Sequence, residues 1–160
     1  MVSIALAVGD KAPEFNLPRD GGATVALSSY QGKQVVLFFY PRDDTSGCTK
    51  EAIGFSEQLE AFERAGAVVL GLSQDSIASH DKFRDKHKLR VALLSDETSE
   101  TCTHYETWVE KKMYGKTFMG IERTTFLIGT NGRLTKIWRK VKVPGHVEEV
   151  LASVRENYVE

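Results

Sequence analysis

QVVLFFYPRDDTSGCTKEAIGFSEQLEAFERAG, residues 34–66, holds a strand, a polar turn and a helix in one run. QVVLFFY is short, β-branched and aromatic, the composition of a strand buried on both faces. Beyond the turn PRDDTSG, the apolar Ala52, Phe55, Leu59 and Phe62 recur at three- and four-residue steps, and Gly66 offers a C-terminal stop. Residues 49–66 are therefore expected to form one amphipathic helix. Cys48 falls at or just before its N-terminus. Unpaired backbone N–H groups and the positive end of the helix dipole favour a thiolate over a thiol at such a place, and thiolates are the reactive form.

Upstream, EFNLPRDGGATVAL (residues 14–27) reads as an N-terminal β-hairpin around Gly21-Gly22, and SSYQGK as a short helical turn. Downstream, AVVLGLS (67–73) is a second buried strand, Ser79 to Lys88 a polar helix, and ALLSD (92–96) a third strand. SETCTHYETWVE (99–110) reads as a short helix carrying Cys102, and MYGKTFMGIER (113–123) as a turn-rich stretch. TTFLIG (124–129) and RLTKIWRKV (133–141) form a hairpin across Asn131-Gly132. HVEEVLASVRENY (146–158) closes the chain as a helix with Val147, Val150, Leu151, Val154 and Tyr158 on one face. Strands alternating with helices, then a terminal hairpin, predict an α/β protein with a central mixed β-sheet flanked by helices. With no linker or repeat, the 160 residues are expected to form a single domain, 1–160.

Charge excludes several partners. With 21 basic and 22 acidic residues, a net charge of -1 and a pI near 6.4, there is no electrostatic case for nucleic acid or an anionic membrane. The apolar stretch Val2 to Val8 has no basic region before it and turns polar at Gly9 and Asp10, which argues against a signal peptide. No segment approaches the run of about 18 apolar residues that spans a bilayer. The expectation is a cytoplasmic protein with a small-molecule or protein partner, working as a monomer. Two distant cysteines make neither a disulfide scaffold nor a zinc knuckle. His80, His87, His104 and His146 lack metal-ligand spacing, so no metal or other cofactor is expected.

A dithiol oxidoreductase needs two thiols at C-x-x-C spacing, because a second sulfur must resolve the mixed disulfide. Here the tetrad is Thr45-Ser46-Gly47-Cys48, so a hydroxyl stands where the first thiol would be. That removes dithiol exchange but leaves a thiolate with a hydrogen-bonding neighbour, which suits attack on a peroxide O–O bond. PRDDTSGCT (41–49) resembles the P-x-x-x-T-x-x-C active-site signature of peroxiredoxins. The likeness runs through GDKAPEFNLP, FFYPRDDTSGCTKEA, EKKMYGKTFMGIER and WRKVKVPGH, and is strongest to the bacterioferritin comigratory protein (peroxiredoxin Q) branch. It implies a thioredoxin-like fold and reduction of hydrogen peroxide and organic hydroperoxides by Cys48, with Thr45 and Pro41 completing the signature and Arg123 matching the family's active-site arginine. Thioredoxin, glutaredoxin or a small thiol would be the reductant.

Magnitudes show why the sulfur needs companions. Lowering a thiol pKa from about 8.5 to about 6 raises its thiolate fraction at pH 7 roughly thirtyfold. A Brønsted coefficient of about 0.4 to 0.5 returns roughly tenfold of that in lost nucleophilicity, leaving a net gain of about two- to threefold. Fast reduction must therefore draw on groups that place the peroxide and stabilise charge on the departing oxygen: Thr45 Oγ1, the N–H groups around Gly47 and Cys48, and the Arg123 guanidinium. Pro41 would shield the sulfur and stiffen the loop. Glu51 either holds Arg123 in an ion pair or answers the helix dipole as a first-turn acid, and both readings stay open.

The second thiol is a separate question. Many relatives in this branch carry a resolving cysteine five residues after the peroxidatic one, where Ile53 stands here, and others carry one in the next helix, where the similar segment SHDKFRDKHK has Arg84. Cys102 is expected to pack on its own helix, with resolution of Cys48 or intermolecular chemistry as the alternatives, and the favoured cycle uses one cysteine and an external thiol. The competing function is a non-enzymatic redox sensor that signals through oxidised Cys48.

Overall fold

The structure, a computed structural model, describes residues 5–158. A hairpin of β1 (Asn16–Pro18) and β2 (Thr24–Ala26) leads through a 3-10 turn at Leu27–Tyr30 into β3 (Gln34–Phe39). Then come α1 (Ser46–Glu57), α2 (Leu59–Arg64), β4 (Ala67–Ser73), α3 (Ile77–His87), β5 (Ala92–Ser95) and α4 (Glu100–His104). The hairpin β6 (Trp108–Met113) and β7 (Lys116–Ile121) precedes β8 (Thr124–Ile128), β9 (Leu134–Trp138) and α5 (His146–Glu156).

The central sheet runs β5-β4-β3-β8-β9, with β3, β4 and β5 parallel and β8 and β9 antiparallel, so it is mixed as predicted. Every residue of β3 is buried, and successive side chains divide between two cores. Val36, Phe38 and Tyr40 join Cys48, Ala52, Phe55 and Phe62 of the helical layer and Val147, Val150, Leu151 and Val154 of α5. Val35, Leu37 and Phe39 face the other way, toward Phe15, Val25, Leu27, Cys102 and Tyr105. Cys48 and Cys102 thus belong to cores on opposite faces of one sheet.

Several expectations need correction. The helix predicted over 49–66 starts earlier, at Ser46, and bends at Gln58. Backbone bonds carry on through the bend, from Gln58 N–H to Gly54 O and from Phe62 N–H to Gln58 O, and Phe55 and Phe62 stay on the buried face with ring centroids 5.7 Å apart. The helix predicted over 99–110 stops at His104, and the turn-rich 113–123 is the second strand of a hairpin. Its turn places Tyr114 at φ 53° and Gly115 at φ 76°, the pair of left-handed residues a two-residue hairpin loop requires. Finally, the last strand ends at Trp138 rather than Val141, because Lys140 turns left-handed at φ 49°. Arg139, Lys140 and Val141 therefore do not continue the strand: Val141 N–H bonds Arg123 O at 3.0 Å, and the Arg139 guanidinium lies 5.4 Å from the Phe126 ring centre. Tyr158 lies past the end of α5, exposed rather than on its buried face.

Candidate active site

Cys48 lies beyond the carboxyl end of β3, where open α/β sheets place their sites. Thr45 is the N-cap of α1 with extended backbone (φ −92°, ψ 155°), which makes Cys48 the third residue of the helix. No side chain caps this terminus, and the N–H groups of Ser46, Gly47 and Cys48 have no acceptor among the described residues. They are donors left for a ligand. Cys48 as a residue is only 1% exposed, so its side chain is largely out of water.

Arg123, between β7 and β8, reaches this sulfur. Its Nη2 donates to Cys48 Sγ at 3.3 Å while Nη1 donates to Glu51 Oε1 at 2.8 Å. The backbone on either side is tied, Glu122 N–H to Thr107 O at 2.8 Å and Val141 N–H to Arg123 O at 3.0 Å, so the guanidinium starts from a fixed base. Gly47 makes the approach possible: a Cβ there would sit 3.1 Å from Nη2. Burial works against charge on Arg123, but Glu51 and Cys48 outweigh it and hold its pKa above the ordinary value. A cation locked beside a sulfur and three free N–H donors can stabilise negative charge on that sulfur and on an oxygen leaving it.

The two readings of Glu51 resolve in favour of the ion pair: it is the sixth residue of α1, a helix with no acid in its first turn, and it meets Arg123. Its side chain is fully buried and Oε2 has no partner among the described residues. Burial raises its pKa to about 7 although Arg123 pulls the other way. In the unfolded chain the carboxyl ionises near 4.5, so from there to about 7 only the unfolded state sheds its proton, and Glu51 subtracts stability progressively as pH rises. The gap corresponds to roughly 3 kcal/mol. Glu51→Gln should flatten this contribution: between pH 5 and pH 8 the unfolding free energy from urea melts should fall less in the variant than in the parent.

The other residues singled out from sequence fall into place unevenly. Thr45 is exposed, and its hydroxyl donates to Arg42 O at 2.9 Å, closing the turn rather than touching the sulfur. Pro41 is half-buried at the head of that turn. Cys102 is fully buried, its N–H bonded to Asp96 Oδ2 at 2.8 Å, and burial pushes its thiol well above the usual range, with Asp96 adding to the effect. It is not brought near Cys48. Ile53 packs against the Cys48 core, and Arg84 pairs with Asp20, Asp81 and Asp85. Burial pushes His146 down to about 4, and its Nε2 meets Thr125 Oγ1 at 2.8 Å.

Sequence reasoning missed the bonds that fasten the 41–45 turn. His80, considered only as a metal ligand, meets Asp43, and His87 with Lys86 meets Asp44. The signal was available: two histidines one heptad apart on one helix face, and two consecutive aspartates in a loop. Asp43, Asp75 and His80 bring one ligand atom each within 4.8 Å of one another, but protein donors already fill the site: Tyr40, Ser79 and Ser73 hydroxyls and the Asp43 N–H.

Comparison with known proteins agrees with this geometry. The AhpC/TSA family pattern matches residues 8–137. Peroxiredoxin Bcp of Bacillus subtilis is 47% identical over 153 residues, covering 96% of this chain and 98% of its own. A cysteine-to-serine mutant of PrxQ from Xylella fastidiosa superposes with a TM-score of 0.91 at 39% identity, covering 96% of this chain and 98% of that one. The bacterioferritin comigratory protein of Xanthomonas campestris, studied for alkyl peroxide reduction, gives 0.86 at 41% identity with 91% and 92% covered. With its thioredoxin-like mixed sheet and a cysteine at the start of α1 under an arginine, the chain belongs to the AhpC/TSA family of peroxiredoxins, in the bacterioferritin comigratory protein branch.

Proposed function

We propose that this chain is a thiol-dependent peroxidase in which Cys48 is the peroxidatic residue, running a one-cysteine cycle. The Cys48 thiolate attacks one peroxide oxygen; the S–O bond forms as O–O breaks, leaving a sulfenic acid and an alkoxide or hydroxide that takes up a proton to become alcohol or water. An external thiol then attacks the sulfenic acid, releasing water and forming a mixed disulfide. A second thiol equivalent returns Cys48 and leaves with the first as a disulfide. The reading rests chiefly on Arg123 Nη2 at 3.3 Å from Cys48 Sγ, at a helix terminus whose first N–H groups are free.

Each companion has a role within the reading. Arg123 and the Gly47 and Cys48 N–H groups bind the peroxide and stabilise charge on the departing oxygen. Thr45, its proton committed to Arg42 O, keeps lone pairs free to accept a hydrogen bond from the substrate. Pro41 stiffens the turn, and Glu51 holds the guanidinium. The one-cysteine cycle is supported by the two cores, since a Cys48–Cys102 disulfide would have to form across the sheet. Thioredoxin, glutaredoxin or a small thiol supplies the electrons. The chain is read as acting as a monomer, and two free thiols support a cytoplasmic setting.

Mass spectrometry tests the cycle. After one equivalent of peroxide without reductant, the non-reducing intact mass should gain one oxygen. Loss of two hydrogens would replace the reading with a Cys48–Cys102 disulfide, and a doubled mass with a linked dimer. Cys102→Ser should turn over within about twofold of the parent, as expected of a side chain that only packs.

A further inference from the structure

Helix α3 is a clasp on the turn that presents Cys48, and it closes through a buried hydrogen-bond cluster. Three donors converge on the Asp43 carboxylate: Tyr40 OH on Oδ1 at 2.6 Å, and Ser79 Oγ and His80 Nδ1 on Oδ2 at 2.8 and 2.7 Å. The Asp43 backbone N–H in turn donates to Asp75 Oδ2 at 2.8 Å. An outer pair of contacts repeats the pattern at the next residue, Lys86 Nζ and His87 Nε2 meeting the two Asp44 oxygens at 2.7 and 2.8 Å. Asp44 is held at φ 59°, an uncommon left-handed backbone for aspartate that persists when its surroundings enforce it. Asp43, Asp44 and the N-cap Thr45 are consecutive, so what α3 grips is the entrance to α1.

The ring of His80 fixes its own protonation. Nε2 lies 2.8 Å from Leu94 O, which can only accept, so Nε2 carries hydrogen. Nδ1 lies 2.7 Å from a carboxylate oxygen that also accepts. Both nitrogens therefore donate, and the closed clasp contains an imidazolium. The groups facing it are Asp43 from the turn, Tyr40 OH at 3.5 Å from the end of β3, Asp75 from the β4–α3 loop and Leu94 O from β5; Arg84, one turn along α3, points instead to Asp20, Asp81 and Asp85.

We infer that His80 is a positioning residue for the peroxidase reaction: protonated, it locks Asp43 and so holds the 41–45 turn and the head of α1 in the geometry that sets Cys48 under Arg123. Burial opposes the charge on His80, but the Asp43 contact outweighs it and holds its pKa above the usual 6.5. The clasp is thus fully formed below pH 6.5 and weakens as pH rises through the folded-state value, because a neutral imidazole has one N–H and cannot donate to both Asp43 and Leu94 O. Alkaline pH, which favours thiolate chemistry, here loosens the turn that aims the thiolate. Displacements of about 1 Å in a reacting pair cost up to about a hundredfold, so the loss should be visible in rate.

The inference rests on Cys48 being the peroxidatic residue, and the test separates the two. The second-order rate of peroxide reduction is measured against pH for the parent and for His80→Gln and Asp43→Asn, with circular dichroism melts confirming a folded state. Ring NMR titration of His80 is measured in the parent and in Asp43→Asn. The parent should show an alkaline fall in rate that tracks the His80 titration. His80→Gln should be slower by about tenfold at pH 6 and lack that fall, and Asp43→Asn should shift both the fall and the titration to lower pH. If His80→Gln does not fold, Asp43→Asn decides alone. An alkaline limb unchanged in the folded variants, or a His80 ring that titrates at or below 6.5 in the parent, overturns the clasp. A parent without peroxidase turnover refutes the functional reading instead, and the NMR titration still decides the clasp.

Discussion

Serine at position 48 should end peroxide turnover, lowering steady consumption with a thiol donor by at least about a thousandfold. The change replaces one atom, so the pocket, Arg123 and the free N–H groups stay. What disappears is an atom that can be oxidised: sulfur gives up an electron pair to a peroxide oxygen and later regains it from a thiol, whereas a hydroxyl oxygen has no such reversible ladder. The serine hydroxyl is also essentially un-ionised at neutral pH, so no anion is left for Arg123 to face. Because Cys48 is 1% exposed among Tyr40, Ala52 and Phe55, a hydroxyl there carries some cost to stability, and a melt must accompany the assay. A folded Cys48→Ser protein with sustained turnover would move the chemistry to Cys102. A parent oxidised once, with no further consumption in the presence of thiol, would favour the sensor over the enzyme.

The central sheet was legible because burial imposes composition. QVVLFF must satisfy two cores at once, and only β-branched, aliphatic and aromatic residues do so, leaving an apolar run that reads as a strand. The β6–β7 hairpin has no such obligation. Met113, Phe118 and Met119 are exposed, so neither alternation nor an apolar run marks it, and the first loop position of the turn is Tyr114, where asparagine or glycine before Gly115 would have signalled a reversal. The bend at Gln58 left no trace either, since Phe55 and Phe62 keep helical spacing across it.

For the site, the spacing of Pro41, Thr45 and Cys48 was readable along the chain, and Arg123 through family likeness. Directions were not. Nothing local says that the Thr45 hydroxyl turns to Arg42 O, or that α3 packs where His80 can meet Asp43. Those facts depend on how elements far apart in sequence settle against one another. The separation of Cys48 from Cys102 is of the same kind: it follows from which face of β3 each helix covers.

Arg123→Lys should lower the second-order rate of peroxide reduction by about a hundred- to a thousandfold, with a smaller change in stability than Arg123→Ala. Arginine here makes two bonds from one planar group, Nη1 to Glu51 Oε1 at 2.8 Å and Nη2 to Cys48 Sγ at 3.3 Å. Lysine keeps the positive charge, but its ammonium is a compact point that cannot bridge both partners in that fixed fork. Buried Glu51 should win it, because a carboxylate out of water with one oxygen already unpartnered loses more than a sulfur would. The sulfur and the departing oxygen then lose their donor while the net charge of the pocket is unchanged. Alanine removes both bonds, leaves Glu51 without its cation and drives its carboxyl further toward the neutral acid, so that variant mixes a folding defect with a catalytic one. Lysine separates them: a folded Arg123→Lys protein within about threefold of the parent rate would show that charge alone suffices, and would sink the fork argument. A rate deficit of the expected size, with the urea midpoint nearly retained, would locate the loss in the geometry between guanidinium, sulfur and leaving oxygen.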